Sequence, residues 1–313
     1  MKRISVVLCT FNGEQYIIEQ LRSIEEQSVT PFEVIIVDDN SADTTKRKIQ
    51  EYIVHSKLNI KFIANEKRRG VVQNFEYALS LARGEYIALS DQDDIWLKNK
   101  LELSLSKIMQ IEKDNINTPI LVHSDMMVVN ENLDIRYESF MKCEGFENKE
   151  NEPAKYLCVH NYITGCTMMF NRKALDLVLP FPKNALLHDW WIALAVSICG
   201  RIGFINNKTV MYRQHSSNVV GAHKYISLQG FYNACKFQKR LSRIEELLLQ
   251  LQDAINYKNS LLVTKAPWLC KGYMAMKNAN ILMLSAIGIK QQGKIRNFLF
   301  YFMLIIRYVY KRV

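Results

Sequence analysis

The sequence predicts an α/β fold: a mostly parallel sheet flanked by helices on both faces, followed by a helical C-terminal extension. Three observations carry this expectation. Over the first 90 residues, short β-branched runs alternate with stretches whose apolar residues recur at helical spacing. The central run, Val34-Ile35-Ile36-Val37, is apolar throughout, as strands covered on both faces are. Beyond about residue 223 the strand-like runs stop and amphipathic helical patterning takes over, which divides the chain into a domain of residues 1–222 and a helical region of residues 223–313.

The elements follow in order. Residues 4–9 are β-branched and apolar and read as a first strand. The preceding Met1-Lys2-Arg3 imitates a signal peptide, but the apolar run is too short and Asn12-Gly13-Glu14 stands where a small-residue cleavage site would be. Asn12 is expected to cap a helix bearing Ile17, Leu21 and Ile24. Residues 34–37 form the second strand, Asp38 to Ser41 turn the chain, and Ile49, Tyr52 and Ile53 mark the next helix. A third strand covers 60–63; Gly70 opens a helix carrying Val71, Phe75, Ala78, Leu79 and Ala82; Gly84 ends it before a strand at 86–89. Residues 120–123 resume a strand, 124–134 a hairpin, 138–156 a mobile polar loop, and 165–170 another strand. His188-Asp189 begin an apolar helix, and residues 210–213 lead into Gln214-His215. Leu241, Ile244, Leu247, Leu248, Leu251 and Ile255 share one face of a later helix, without a sustained heptad.

Charge and cysteine usage narrow the classes. With 41 basic and 31 acidic residues the chain carries a formal charge of +10, which favours nucleic acid, anionic lipid or a phosphorylated substrate. No aromatic-basic binding motif is present, so nucleic acid is not the expected partner. Seven scattered cysteines form no CxxC pair and fit a reducing compartment. Residues 297–306 are an apolar run edged by Lys290, Lys294, Arg296, Arg307, Lys311 and Arg312. It is too short to span a bilayer, and two readings stay open: a helix lying on an anionic membrane surface, or one packed on its own protein.

The chemistry concentrates where strands end. Thr10 and Asn12 follow the first strand, Asp38 and Asp39 the second, Asn65 to Arg69 the third, and Asp91-Gln92-Asp93-Asp94 the fourth. In a parallel sheet these loops converge on one rim, the usual place for a ligand. Carboxylates this close raise each other's pKa unless a cation neutralises them, and hard oxygen donors suit Mg2+ or Mn2+. The competing reading is a solvated turn in which Asp94 caps a helix starting at Ile95.

Taken together, residues 1–220 resemble family 2 glycosyltransferases, whose catalytic domain has the GT-A fold. The resemblance rests on Val6-Val7-Leu8-Cys9-Thr10-Phe11-Asn12, Val37-Asp38-Asp39-Asn40-Ser41, the DxD motif at Asp91 to Asp93 continuing into Asp94-Ile95-Trp96, Thr164-Gly165-Cys166, and His188-Asp189. The finer likeness is to bacterial rhamnosyltransferase-like enzymes of surface-polysaccharide assembly, such as O-antigen or capsule. The resemblance implies that Asp39 accepts from the nucleotide base, Thr10 and Asn12 line the nucleoside pocket, Asp91 contacts the ribose or supports the metal, and Asp93 binds Mg2+ or Mn2+. His215 matches a position that touches metal or diphosphate, with Arg213 and the cluster Lys67-Arg68-Arg69, Arg69 foremost, adding contacts to phosphate. Asp189 would be the general base, ionised by the helix dipole. Gly165, His188 and one of Trp190 or Trp191 would face the acceptor, although His188 stands where the family commonly has Glu. The implied partners are a UDP- or dTDP-linked sugar donor and a glycan or lipid-linked oligosaccharide acceptor. The implied reaction is a single displacement with inversion, on the cytoplasmic face of the plasma membrane. A sugar nucleotidyltransferase would share the carboxylate-bound metal, but Cys9 to Glu14 is not its Gly-rich, basic phosphate loop. A basic nucleic-acid-binding protein is the rival from another class.

Overall fold

The seven-residue strand β1 (Ile4–Thr10) pairs in parallel with β2 (Glu33–Asp38) on one side and with β4 (Tyr86–Ser90) on the other, and β3 (Ile60–Ala64) lies beyond β2. The computed structural model describes residues 2–149, 151–215 and 237–310. Register aligns the carboxyl ends: Thr10 sits opposite Asp38, Asp38 opposite Ala64, and Leu8 opposite Ser90. The polar loops after these strands therefore open on one rim. Successive side chains alternate faces. Val7, Ile35 and Val37 pack with α3 (Val71–Ser80), while Val6, Leu8, Val34 and Ile36 pack with α1 (Ile17–Glu25) and with Ile49 of α2 (Thr45–His55).

The second half of the sheet is mixed rather than parallel. Across the nine strands the order is β3-β2-β1-β4-β8-β6-β9-β5, with β7 (Ile135–Tyr137) paired to β6. Strand β8 (Met169–Asn171), followed directly by α7 (Arg172–Val178), runs antiparallel to both β4 and β6 (Ile120–Val129), and β9 (Arg201–Arg213) is parallel to β6. The two-residue β5 (Ile95–Trp96) closes the edge against β9 and leads into α4 (Lys100–Glu112).

Several local expectations are corrected. Asn12 does not cap α1, which begins at Ile17; with φ at 48° it bridges two rim loops, its amide donating to Ser41 Oγ (2.8 Å) and its Oδ1 accepting from Ala42 (2.9 Å). The segment 165–170 is a 3-10 turn at Gly165–Thr167 followed by β8, because the chain must bend there to bring Gly165 against α8 (His188–Cys199). Residues 138–156 are not one loop. Ser139 caps α5 (Phe140–Glu144) and is held by Asp125, and Pro153–Leu157 forms α6. Strand β9 starts at Arg201, well before the apolar run at 210–213 that is visible in sequence.

The C-terminal helices α9 (Phe237–Asn256), α10 (Leu261–Lys265), α11 (Trp268–Lys277), α12 (Ile281–Ile287) and α13 (Lys294–Tyr310) share a core with one face of the sheet domain. The predicted boundary at 222/223 lies outside the described residues. Ile244, Leu247, Leu248 and Leu251 of α9 and Phe300, Met303 and Leu304 of α13 are buried. Each such side chain contributes ~1.5–3 kcal/mol. Polar ties fix the seam: Leu186 N donates to Gln250 Oε1 (2.9 Å), Tyr257 OH to Pro180 O (2.7 Å), and Arg296 pairs with Glu144 (3.0 Å). Of the two readings of the terminal run, packing on the protein holds for one side of α13, and the other side exposes Ile295, Phe298, Phe302, Ile305 and Val309. No helix among the described residues is long and apolar enough to cross a membrane.

Candidate active site

The rim is built from aspartates with distinct duties. Asp38 is structural: it accepts from Thr10 Oγ1 (2.9 Å), Ser41 N (2.8 Å) and Ser41 Oγ (2.5 Å), with no exposed surface. Thr10 is thus tied to Asp38 and is itself buried, so it does not line a pocket as expected. Asp39 receives Arg69 N (2.7 Å), Gly70 N (2.9 Å) and Asn65 Nδ2 (3.1 Å), which joins the loops after β2 and β3 and places its carboxylate at the entry of α3. The Arg69 side chain leaves this site to lie over Tyr77 at 4.3 Å. Its neighbour Arg68 is the one at the site, 4.0 Å from Asp39 and 3.8 Å from the Phe11 ring centroid. Sequence reading singled out Arg69; the only signal for Arg68 was the run Lys67-Arg68-Arg69.

The loop after β4 is locked to the loop after β1 by Gln92, whose Oε1 accepts from Phe11 N (2.9 Å) and whose Nε2 donates to Phe11 O (3.1 Å). Asp91 is pushed up to about 7 by burial and by the charges of Asp93 and Asp189, so Asp189, distant in sequence, shares one electrostatic site with Asp91 and Asp93. Asp94 is not a helix cap. It has no exposed surface, its Oδ1 accepts from Arg213 N (3.2 Å), and its Oδ2 lacks a partner among the described groups. Burial and the neighbouring Asp93 and Asp91 push it well up as well.

Asp91, Asp94 and Cys166 present ligand atoms within 4.8 Å of one another. The thiol is driven up by burial and stays protonated, which makes it a poor partner for a hard cation. Asp93 is the accessible carboxylate beside them, 2.8 Å from His215 Nε2. The repelling oxygen donors of Asp91 and Asp93 fit a divalent cation.

Arg213 does not reach toward phosphate. It is 2% exposed and donates to Asp93 O (2.9 Å), Glu131 O (2.7 Å) and Glu19, with its guanidinium 4.4 Å from the Tyr16 ring. It braces the acidic loop from beneath. Arg213→Met should cost about 1–3 kcal/mol, because it removes three hydrogen bonds that tie the loop together; a denaturation midpoint equal to wild type would refute that bracing role.

Asp189 stands at the start of α8 with Oδ2 accepting from Gly165 N (3.0 Å) and Oδ1 from Trp190 N (2.6 Å). Burial outweighs these hydrogen bonds and the helix terminus, and pushes it up to about 6. A Cβ on Gly165 would lie 3.0 Å from His188 Nε2 and 3.3 Å from Asp189 Cβ, so a side chain at Gly165 would crowd Asp189. His188 turns inward, stacked on Phe75 at 3.7 Å, and burial pushes it down to about 3, a neutral ring. Of the two tryptophans, Trp191 is core, donating to Val178 O (3.0 Å), while Trp190 and Asp189 line a cavity of about 430 Å3 between the sheet domain and the C-terminal helices. That cavity was not visible in sequence.

A strand-end rim with a DxD loop, on a mixed sheet flanked by helices, is the GT-A arrangement. Among solved structures the chain resembles S. aureus TarS in complex with UDP-GlcNAc (TM-score 0.59, 20% identity, 99% of this chain and 92% of that one). It also resembles a mannosyltransferase from Pyrobaculum calidifontis in complex with GDP-Man and Mn2+ (TM-score 0.54, 16% identity, 99% and 88%). The model of glycosyl transferase family 2 matches residues 5–179, and the chain belongs to that family. The dTDP-rhamnosyl transferase RfbG of Shigella flexneri is 27% identical over 304 residues, 88% of this chain and 98% of the relative. The chain spans 60% of the length of its curated mycobacterial relatives.

Proposed function

We propose that this chain is a glycosyltransferase that moves a sugar from a nucleoside diphosphate donor to a glycan or lipid-linked acceptor during cell-surface polysaccharide synthesis. The observation that carries the reading is the convergence of Asp91, Asp93 and Asp189 on one rim, with Asp39 and Arg68 on the neighbouring loops. RfbG supports a dTDP-sugar, with rhamnose as one choice; the TarS complex supports UDP.

In this reading Phe11, Arg68 and Asp39 hold the nucleoside, with Asp39 accepting from the base. An acceptor hydroxyl attacks the anomeric carbon and gives its proton to Asp189, while the bond from that carbon to the diphosphate oxygen breaks and the nucleoside diphosphate leaves. Attack from the side opposite the leaving group inverts the centre. Asp91 and Asp93, with His215 beside Asp93, would hold Mg2+ or Mn2+. When bound, the cation stabilises negative charge on the departing diphosphate. Arg213 keeps the DxD loop in place, and burial keeps Asp189 near neutrality, where a base is most useful. The test is release of nucleoside diphosphate from a panel of UDP-, dTDP- and GDP-sugars. Release from none of them, with added Mg2+ or Mn2+, would refute the reading.

The same proposal places the protein on the inner face of the plasma membrane. Arg296 and Arg307 face inward to Glu144 and Glu245, while Lys290 and Lys294 remain exposed beside the ridge of Phe298 and Phe302, whose rings stack at 6.2 Å. An apolar ridge flanked by lysines suits an anionic bilayer surface. Phe298→Asp combined with Phe302→Asp should cut co-sedimentation with phosphatidylglycerol vesicles at least tenfold. Undiminished co-sedimentation would remove this helix from the membrane role.

A further inference from the structure

The middle residue of the DxD motif has no task in the proposed reaction. Gln92 reaches across the rim and pairs with the main chain of Phe11, 81 residues earlier: Oε1 accepts from Phe11 N (2.9 Å) and Nε2 donates to Phe11 O (3.1 Å). Two bonds to one residue fix both where it sits and which way it faces, as a single bond does not. The amide is also confined by close packing. A Cβ on Gly13 would lie 2.2 Å from Gln92 Oε1 and 2.5 Å from Gln92 Cδ, so the chain carries glycine where the glutamine presses hardest.

Phe11 is the junction this pairing controls. Arg68 lies over its ring at 3.8 Å and stands 4.0 Å from Asp39, so the ring is grouped with both other residues assigned to the nucleoside. Gln92 in turn stands between Asp91 and Asp93 in the chain. Asp93 and Asp189 act on Asp91 with like charge, and without a cation that repulsion favours loop geometries that spread the carboxylates. A divalent cation reverses the preference by drawing their oxygens together. Any such shift carries Gln92, and with it Phe11.

We infer that Gln92 is a positioning residue that couples the cation to the nucleoside: its double bond to Phe11 makes the DxD loop and the Phe11 ring move as one, so that a divalent cation at Asp91 and Asp93 raises the affinity for the nucleoside itself. The inference rests on the proposed transferase reading, which places the nucleoside at Phe11 and the cation at the two aspartates. It adds a route by which each ligand strengthens the other, as linkage requires of any two coupled sites, without direct contact between them.

The test uses nucleosides, which carry no phosphate to reach a cation, so that an effect of the cation on their binding must pass through the protein. Uridine, thymidine and guanosine are titrated calorimetrically into the full chain, in Mg2+ and in EDTA. At least one should bind wild type about fivefold or more tighter in Mg2+, the low end of ordinary coupling between two sites. Gln92→Ala should bind that nucleoside with no gain from Mg2+. Gly13→Ala, whose methyl group displaces the Gln92 amide, should lose the gain in the same way with the glutamine still present. A gain that survives in Gln92→Ala would route the coupling elsewhere and overturn the inference. So would a variant that loses affinity by the same factor in Mg2+ and in EDTA, the mark of a merely structural support. Nucleosides that bind wild type no better in Mg2+ than in EDTA, or not at all, while a nucleotide sugar does bind, overturn the inference and leave the transferase reading standing. No binding of any nucleoside or nucleotide sugar defeats the transferase reading, and the inference with it.

Discussion

Asp189→Asn should lower the turnover of sugar transfer by about 10²–10⁴-fold while leaving nucleotide-sugar affinity within twofold. Asparagine keeps the size of the side chain and, through its carbonyl oxygen, the contact to Gly165 N, so the start of α8 should persist. What it removes, in the proposed reaction, is the group that takes the acceptor proton. The pH profile separates this from a structural effect. Because burial raises Asp189 to about 6, wild-type turnover at saturating Mn2+ should fall roughly tenfold per pH unit as pH drops below that value, and level off above it. The residual activity of Asp189→Asn should show no such limb. An unchanged turnover in the variant would dismiss Asp189 as the base.

Asp93→Asn should reduce transfer by about 10²-fold or more and abolish its dependence on Mg2+ or Mn2+, with the melting temperature close to wild type. Asp93 is the accessible carboxylate of the cluster, it touches His215, and its main chain rather than its side chain anchors Arg213. The carboxylate can therefore be neutralised without removing the brace under the loop. The variant also relieves the repulsion that raises Asp91, so the site loses a ligand and much of its unbalanced charge together. Full metal-stimulated activity in Asp93→Asn would contradict the metal assignment.

The parallel half of the fold was legible because β1, β2 and β4 are buried on both faces and so read as mostly apolar runs, with polar loops at their carboxyl ends. Register then delivered the expected convergence, since Thr10 lies opposite Asp38 and Leu8 opposite Ser90. The antiparallel half was harder. Strand β8 is three residues long, and its place between β4 and β6 depends on pairings across more than 80 residues in one case and nearly 50 in the other. Side-chain direction was the other blind spot. Arg69 and Arg213 carry the right charge at the right loops, yet one lies on Tyr77 and the other is spent inside the protein, while Arg68 stands beside Asp39 and the Phe11 ring. The cavity beside Asp189 escaped notice for a related reason: its walls come from α9 and α13, whose apolar stripes identify packing faces without saying what they pack against.

The central claim is that these aspartates gather a nucleotide-activated sugar around a divalent cation. Thermal stabilisation by a panel of nucleotide sugars, with Mn2+ and with EDTA, in wild type and Asp93→Asn, tests it most directly. The expected result is that at least one UDP- or dTDP-sugar raises the melting temperature of wild type in Mn2+, and neither EDTA-treated protein nor Asp93→Asn responds. Stabilisation of equal size in all three conditions, or in none, would contradict it.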